Sequence, residues 1–212
     1  MKDFVYVSRE EALIYRKKVM NLIKVVQKKL KNSFSFTTRF VGSSARNMVS
    51  YDQNSNVGPD LDVNICLNNP DDYEPKYIKE KFISAFNQHS STFGFDYAED
   101  STRVITLKTK DRDHSRILFS CDIAIVAKMG LDFDCFIYHN KKQDTYEWQL
   151  QREQSEDIDN MVDWIKDNGL WELVREKYID NKNNNRCNTK KSIHIFNETI
   201  HQVYNEYQEK YY

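Results

Sequence analysis

An α+β fold is predicted by three features of this 212-residue chain. Strand-like and helix-like patterns interleave up to about residue 150. One near-continuous apolar run, ILFSCDIAIV, has the make-up of a central strand. From Ser155 onward the apolar residues recur at helical spacing only. These predict a sheet domain flanked by helices over residues 1–150, and a C-terminal helical region over 151–212 packed on it.

The elements follow in order. Ser8 and Glu11 form the S-x-x-E pattern of a capping box. Leu13, Val19, Leu22, Ile23, Val26 and Leu30 recur at three- and four-residue steps, which predicts a helix over about 9–31. FSFTTRFV is rich in aromatic and β-branched residues and reads as a strand ending at Gly42. A short helix or turn over 45–49 and the polar loop SYDQNSNVGP lead to a second strand, DLDVNICL. Tyr77, Ile78, Phe82, Ile83 and Phe86 mark the inner face of a helix over about 76–90. TRVITLK and RILFSCDIAIV read as a hairpin, and LDFDCFIYH with TYEWQLQ as another near a sheet edge. Three helical stripes close the chain: Ile158 to Ile165, Leu170 to Tyr178 and Ile193 to Tyr211, the last two joined by the polar connection DNKNNNRCNTKK.

Composition narrows the function classes. No apolar run approaches bilayer length, and MKDFVYVSREE has acids inside any would-be leader, so the expectation is a soluble, cytoplasmic protein with no membrane partner. Cys66, Cys121, Cys135 and Cys187 show neither C-x-x-C nor zinc-finger spacing. The net charge of −1 argues against indiscriminate nucleic-acid binding. The charge is nonetheless uneven. Lys and Arg outnumber Asp and Glu by 11 to 3 over residues 1–50 and are outnumbered 10 to 3 over 51–100. Such a pairing of basic and acidic segments suits a site that holds both metal ions and phosphates.

The chemistry lies in three carboxylates. Side chains alternate along a strand, so Asp60 and Asp62 share one face while Leu61, Val63, Ile65 and Leu67 take the other. Two like charges about 7 Å apart repel unless a cation sits between them. Asp122 is a lone acid inside the run expected at the centre of the sheet, where an unpaired carboxylate is costly. It becomes reasonable if it faces Asp60 and Asp62 across neighbouring strands and shares metal ions with them. Two ions about 3.5–4 Å apart clamp an in-line phosphoryl displacement. Gly42 permits close backbone approach, and Ser43 places amide and hydroxyl donors beside it, which suits phosphate oxygens. Arg46 lies one helical turn beyond. Asp132 and Asp134 repeat the spacing but open a hairpin expected at the sheet edge, where acids discourage aggregation, and Asp111 and Asp113 fall in a turn.

Taken together, FVGSS, DLDVNI and SCDIAI resemble the nucleotidyltransferase superfamily related to DNA polymerase beta. The shared pattern is an apolar residue with Gly-Ser, an acid–apolar–acid strand, and a third acid between apolar residues on a later strand. It covers residues 34–126. The resemblance implies a mixed β-sheet core flanked by helices, a C-terminal helical region, and two Mg²⁺ or Mn²⁺ ions serving transfer of a nucleoside monophosphate from an NTP to an acceptor hydroxyl, with release of pyrophosphate. It implies that Asp60, Asp62 and Asp122 are catalytic and bind the metals, and that Gly42 and Ser43, with Ser44 and Arg46, bind the nucleotide. GSSAR is also similar to the nucleotide-second-messenger and oligoadenylate synthase branch. The acceptor stays open among RNA or tRNA, a nucleotide, a protein and a small molecule. The alternative is a non-catalytic nucleotide- or RNA-binding module of the same fold that acts through a partner. The sixteen residues from Ser44 to Pro59 are longer than the family pattern calls for.

Overall fold

The computed structural model describes residues 2–70, 73–129, 134–151, 155–187 and 189–211. In chain order the elements are β1 (Phe4–Tyr6), α1 (Arg9–Leu30), β2 (Phe36–Phe40), α2 (Gly42–Ala45), β3 (Ser50–Asp52), β4 (Asp60–Leu67) and α3 (Pro75–His89). A 3-10 helix over Ser90–Phe93 precedes β5 (Glu99–Asp100), β6 (Ile105–Asp111), β7 (Arg116–Lys128), β8 (Asp134–Asn140) and β9 (Thr145–Leu150). The helices α4 (Glu156–Asp167), α5 (Trp171–Asn184) and α6 (Ser192–Tyr211) follow. The chain divides into two compact units: Val7–Tyr51 with Ser55–Gln151, and Met1–Tyr6 with Asp52–Asn54 and Arg152–Tyr212.

The first unit holds a seven-stranded mixed sheet in the order β2-β4-β7-β6-β5, with β8 pairing β7 and β9 pairing β8. Only β4 and β7 run parallel among these pairs. The alternation in DLDVNICL explains how the sheet is covered. Leu61, Val63 and Ile65 are at most 1% exposed and join Leu107, Cys121 and Ile123 in one core. Val19, Leu22, Ile23 and Val26 of α1 and Ile78, Phe82 and Phe86 of α3 complete that core. On the opposite parity Asp60, Asp62 and Asp122 are half-buried, while Asn64, Ser120 and Val126 are buried. Full burial of each of these aliphatic and aromatic side chains contributes about 1.5–3 kcal/mol, which holds the strands in the register that sets the acids.

The helix α1 begins as expected, with Ser8 Oγ accepting from the Glu11 N–H at 3.1 Å. Its buried stripe takes in Ala12, however, while Leu13 is 51% exposed. In α3 the expected inner residue Tyr77 is 40% exposed, and Lys79 is buried instead. The first turn after β2 starts at Gly42, earlier than expected, because Gly42 adopts φ +57 and turns the chain at once. Within SYDQNSNVGP the last residues are not a free loop. Asn56 O accepts from the Ile117 N–H at 2.8 Å, the Gly58 N–H donates to Ile117 O at 2.7 Å, and Pro59 O accepts from the Ser120 N–H at 3.0 Å. This segment extends β4 along β7. A Cβ on Gly58 would lie 2.2 Å from Leu118 O, so only glycine fits.

In the second unit α5 runs on to Asn184, through residues expected in the polar connection. Lys182 is the reason: its ammonium lies 4.0 Å from the Phe4 ring centroid and 5.5 Å from that of Tyr178. Asn181 Nδ2 also donates to Thr199 Oγ1 at 2.9 Å. Asp132 lies outside the described residues, and Asp134 is ion-paired with Arg39. Among the described residues no helix is long and apolar enough to cross a membrane.

Candidate active site

Pairing of β4 with β7 sets Asp62 directly beside Asp122 and Asp60 beside Ser120. Neighbouring strands lie about 4.8 Å apart, so three half-buried carboxylates share one patch of the sheet face opposite the core. Neighbouring hydroxyls fix two of them. Ser120 Oγ donates to Asp60 Oδ1 at 2.7 Å. Thr106, directly opposite Asp122 on antiparallel β6, donates from Oγ1 to Asp122 Oδ1 at 2.6 Å.

The electrostatics follow from burial and like charge. Burial is the largest cause that raises the Asp60 carboxyl, to about 7, and the Asp122 charge adds to it. The bond from Ser120 and the attraction of Lys108 work against that rise. Burial and then the Asp122 charge push Asp62 up to about 6. Asp122 is also raised by burial, opposed by the Thr106 bond and by Lys108. Lys108 comes two residues after Thr106 on the same face of β6, and its Nζ is 2.5 Å from Glu99 Oε2. A concentration of buried like charge with one lysine at its margin is a site that favours added positive charge.

The Gly-Ser turn adjoins this patch. A Cβ on Gly42 would lie 3.1 Å from Asp62 Oδ2, so the bare glycine leaves room against that carboxylate. Gly42 is exposed and Ser43 half-buried, and Ser43 O accepts from the Met48 N–H at 2.9 Å. Ser44 is buried, and its Oγ accepts from the Asp62 N–H at 2.8 Å, which ties the turn to β4. Arg46, half-buried, closes the turn with its N–H on Gly42 O at 3.4 Å. Gly42, Asp60, Asp62 and Asp122 are thus brought together, Ser44 braces them from the inside, and Arg46 marks the end of the turn.

Among the described residues no three or more His, Cys, Asp or Glu side chains are drawn tightly enough together to hold a metal ion as they stand. A cavity of about 600 Å³ lies elsewhere, between α3 and the residues Asp100 and Tyr146, and includes none of the three acids. Sequence reasoning gave no role to Ser120, Thr106, Lys108 or Glu99. For Ser120, Thr106 and Lys108 the signal was present, since each shares the parity of the acid face; for Glu99 only the pairing of β5 with β6 reveals it.

No protein-family model and no curated protein matches the chain. Solved structures do. The chain is similar to CdnC of E. coli MS115-1 in a complex with HORMA-deltaN, at 18% identity over 95% of this chain and 61% of that one, with a TM-score of 0.55. It is similar to the Vibrio cholerae DncV cyclic AMP-GMP synthase in complex with nonhydrolyzable GTP, at 12% identity over 89% of this chain and 52% of that one, TM-score 0.54. It is also similar to the CD-NTase CdnG of Bradyrhizobium diazoefficiens in complex with GTP, at 12% identity over 84% and 44%, TM-score 0.53. The chain spans about half the length of such structures. These neighbours are nucleotidyltransferases, and at this identity the likeness is one of fold. The mixed sheet with flanking helices is the nucleotidyltransferase fold.

Proposed function

We propose that this chain is a metal-dependent nucleotidyltransferase that moves a nucleoside monophosphate from an NTP to an acceptor hydroxyl, with release of pyrophosphate. The observation that carries the reading is the parallel register that sets Asp62 against Asp122, with Gly42 alongside. The donor set fits hard divalent cations: the converging groups are all carboxylates, and their ionised forms are disfavoured by burial and mutual repulsion. Asp60, Asp62 and Asp122 would hold two Mg²⁺ or Mn²⁺ ions, which supply charge neutralisation at the phosphoryl oxygens when bound.

The chain's own residues do the rest. Gly42 leaves the triphosphate space against Asp62, and the backbone of the Gly42–Ser43 turn orients it. Thr106 occupies one oxygen of Asp122 and leaves the other to accept the proton of the attacking hydroxyl. Ser120 fixes one oxygen of the Asp60 carboxyl by its hydrogen bond. Two of the neighbouring structures carry GTP or its analogue, which supports an NTP as the donor.

The test is product analysis by mass spectrometry with ATP, GTP, CTP and UTP, Mg²⁺ or Mn²⁺, and RNA, protein and small hydroxylated acceptors. A transferred nucleotide and pyrophosphate are expected, both lost in Asp62→Asn. Pyrophosphate absent across the whole panel, with no change in Asp62→Asn, sinks the reading. Tight nucleotide binding without turnover would instead select a binding module acting through a partner, a reading that CdnC's complex with HORMA-deltaN keeps in view.

A further inference from the structure

Lys79 is a charged side chain among the largest of the fully buried residues, at 1% exposure, and nothing in the proposed chemistry uses it. A buried cation is costly unless paired, and its Nζ is 2.7 Å from Asp100 Oδ1. A leucine on the inner face of α3 would fill the space at lower cost. The lysine does something that a leucine would not: Nζ also donates to the carbonyl oxygen of Ser101 at 2.5 Å. The same short segment is also held by Tyr146, whose OH donates to Asp100 Oδ2 at 2.6 Å, and by the His139 N–H, which donates to Thr102 O at 2.7 Å.

From Ser101 a chain of hydroxyls leads to the acids. A threonine hydroxyl has one proton, and that of Thr106 goes to Asp122. The 3.0 Å contact between Ser101 Oγ and Thr106 Oγ1 is therefore donated by Ser101. Ser101 follows directly on β5, a two-residue strand held to β6 by two register pairs at the edge of the sheet. Such an edge does not fix a serine rotamer unaided. The Ser101 N–H is bonded to Glu99 O and Val104 O, and Lys79 adds the bond to the Ser101 carbonyl that anchors this residue to α3.

We infer that Lys79 is a positioning residue for Asp122, acting through Ser101 and Thr106 to orient the carboxylate that the proposed metal site shares. This rests on the metal-dependent reading above. Groups that orient a metal ligand from behind typically change metal affinity about 10–100-fold when removed.

The test is Mn²⁺ binding to the full chain, followed by the electron paramagnetic resonance of the free ion, so that turnover is not needed. Thr106→Val is expected to weaken binding about 10–100-fold, and Lys79→Met or Ser101→Ala about 3–10-fold. Lys76→Met removes the exposed Lys76–Asp144 pair on the same helix and is expected to change nothing. The double variant Lys79→Met/Thr106→Val is expected to bind as Thr106→Val does, because the path is already cut. Wild-type affinity in folded Lys79→Met, or factors that multiply in the double variant, overturns the inference. Should Lys79→Met not fold, Ser101→Ala decides alone: weakened binding supports the path and unchanged binding overturns it. A wild-type chain that binds no Mn²⁺ overturns the metal reading and this inference together, whereas binding indifferent to all these substitutions overturns the inference alone.

Discussion

Asp60 and Asp62 carry carboxyls raised to about 7 and about 6. A raised acid binds its proton more tightly folded than unfolded. The stabilisation is full below about pH 4, where both states are protonated, and is lost as the pH rises to about 7. The ion-free protein is therefore expected to lose melting temperature over that window, and saturating Mg²⁺ at pH 7.5 to restore several degrees. Asp96 and Asp100 are shifted downward by their cationic partners and work in the opposite direction. The readout is thus the wild-type curve minus that of Asp62→Asn, which should slope downward from pH 4 to 7. A difference curve without slope removes the electrostatic account of the site. Lys182 gives the converse case. Burial pushes it down to about 8, so its charged form is penalised below that pH and the penalty fades toward pH 10. Lys182→Met keeps an unbranched chain against the Phe4 and Tyr178 rings and removes the buried charge, so it is expected to gain about 1 kcal/mol at pH 7 by urea unfolding and nothing at pH 10. The three acids were legible residue by residue because Asp60 and Asp62 follow a Gly-Ser turn and Asp122 interrupts a central apolar run. Lys79 was not, since no pattern marks a lysine whose partner lies twenty-one residues on in the chain.

At the scale of elements, periodicity located β2, β4, β6, β7, β8 and β9, most clearly where the core side is uniformly apolar, but not the short β1, β3 and β5, of which β3 lies in the segment expected as a polar loop. Leu61, Val63 and Ile65 on β4 and Cys121, Ile123 and Ile125 on β7 leave the alternate positions no ambiguity. Boundaries governed by single contacts escaped the pattern, as at Asn184, where α5 continues because Lys182 finds aromatic rings. The same holds for the end of the long loop, whose strand-like course depends on backbone bonds to Ile117 and Ser120. Gly58 makes that dependence measurable. Gly58→Ala brings a methyl against Leu118 O and is expected to cost more than 2 kcal/mol by urea unfolding. Gly169→Ala provides the contrast: φ is +70 with open space around the added Cβ, so about 1 kcal/mol of backbone strain is expected. Equal costs would show that the loop segment does not lie against β7.

Over the whole molecule the chain is folded out of order, which no linker or composition shift announces. Residues Met1–Tyr6 belong with the C-terminal helices. The Phe4 N–H donates to Asn183 Oδ1 at 2.6 Å, Asn183 Nδ2 returns a bond to Phe4 O, and Tyr6 OH donates to Arg175 O at 2.8 Å. Deleting residues 1–6 is expected to speed amide hydrogen exchange in α5 at least tenfold and to leave β4 and β7 protected. Equal protection in the two chains would refute that division. The parallel pairing of β4 with β7 also governs when the acids first meet. Asp60 and Ser120 stand sixty positions apart, whereas β6–β7 and β8–β9 are local hairpins. Local pairs close early and distant ones late, because the entropy of closing the longer loop must be met first. A ribosome adding roughly 5–20 residues per second needs about 3–12 s to travel from one acid-bearing strand to the other. Throughout that interval the nascent chain holds no assembled charge cluster. The repulsion that Asp122 adds to that of Asp60 and Asp62 arises only when β7 pairs with β4.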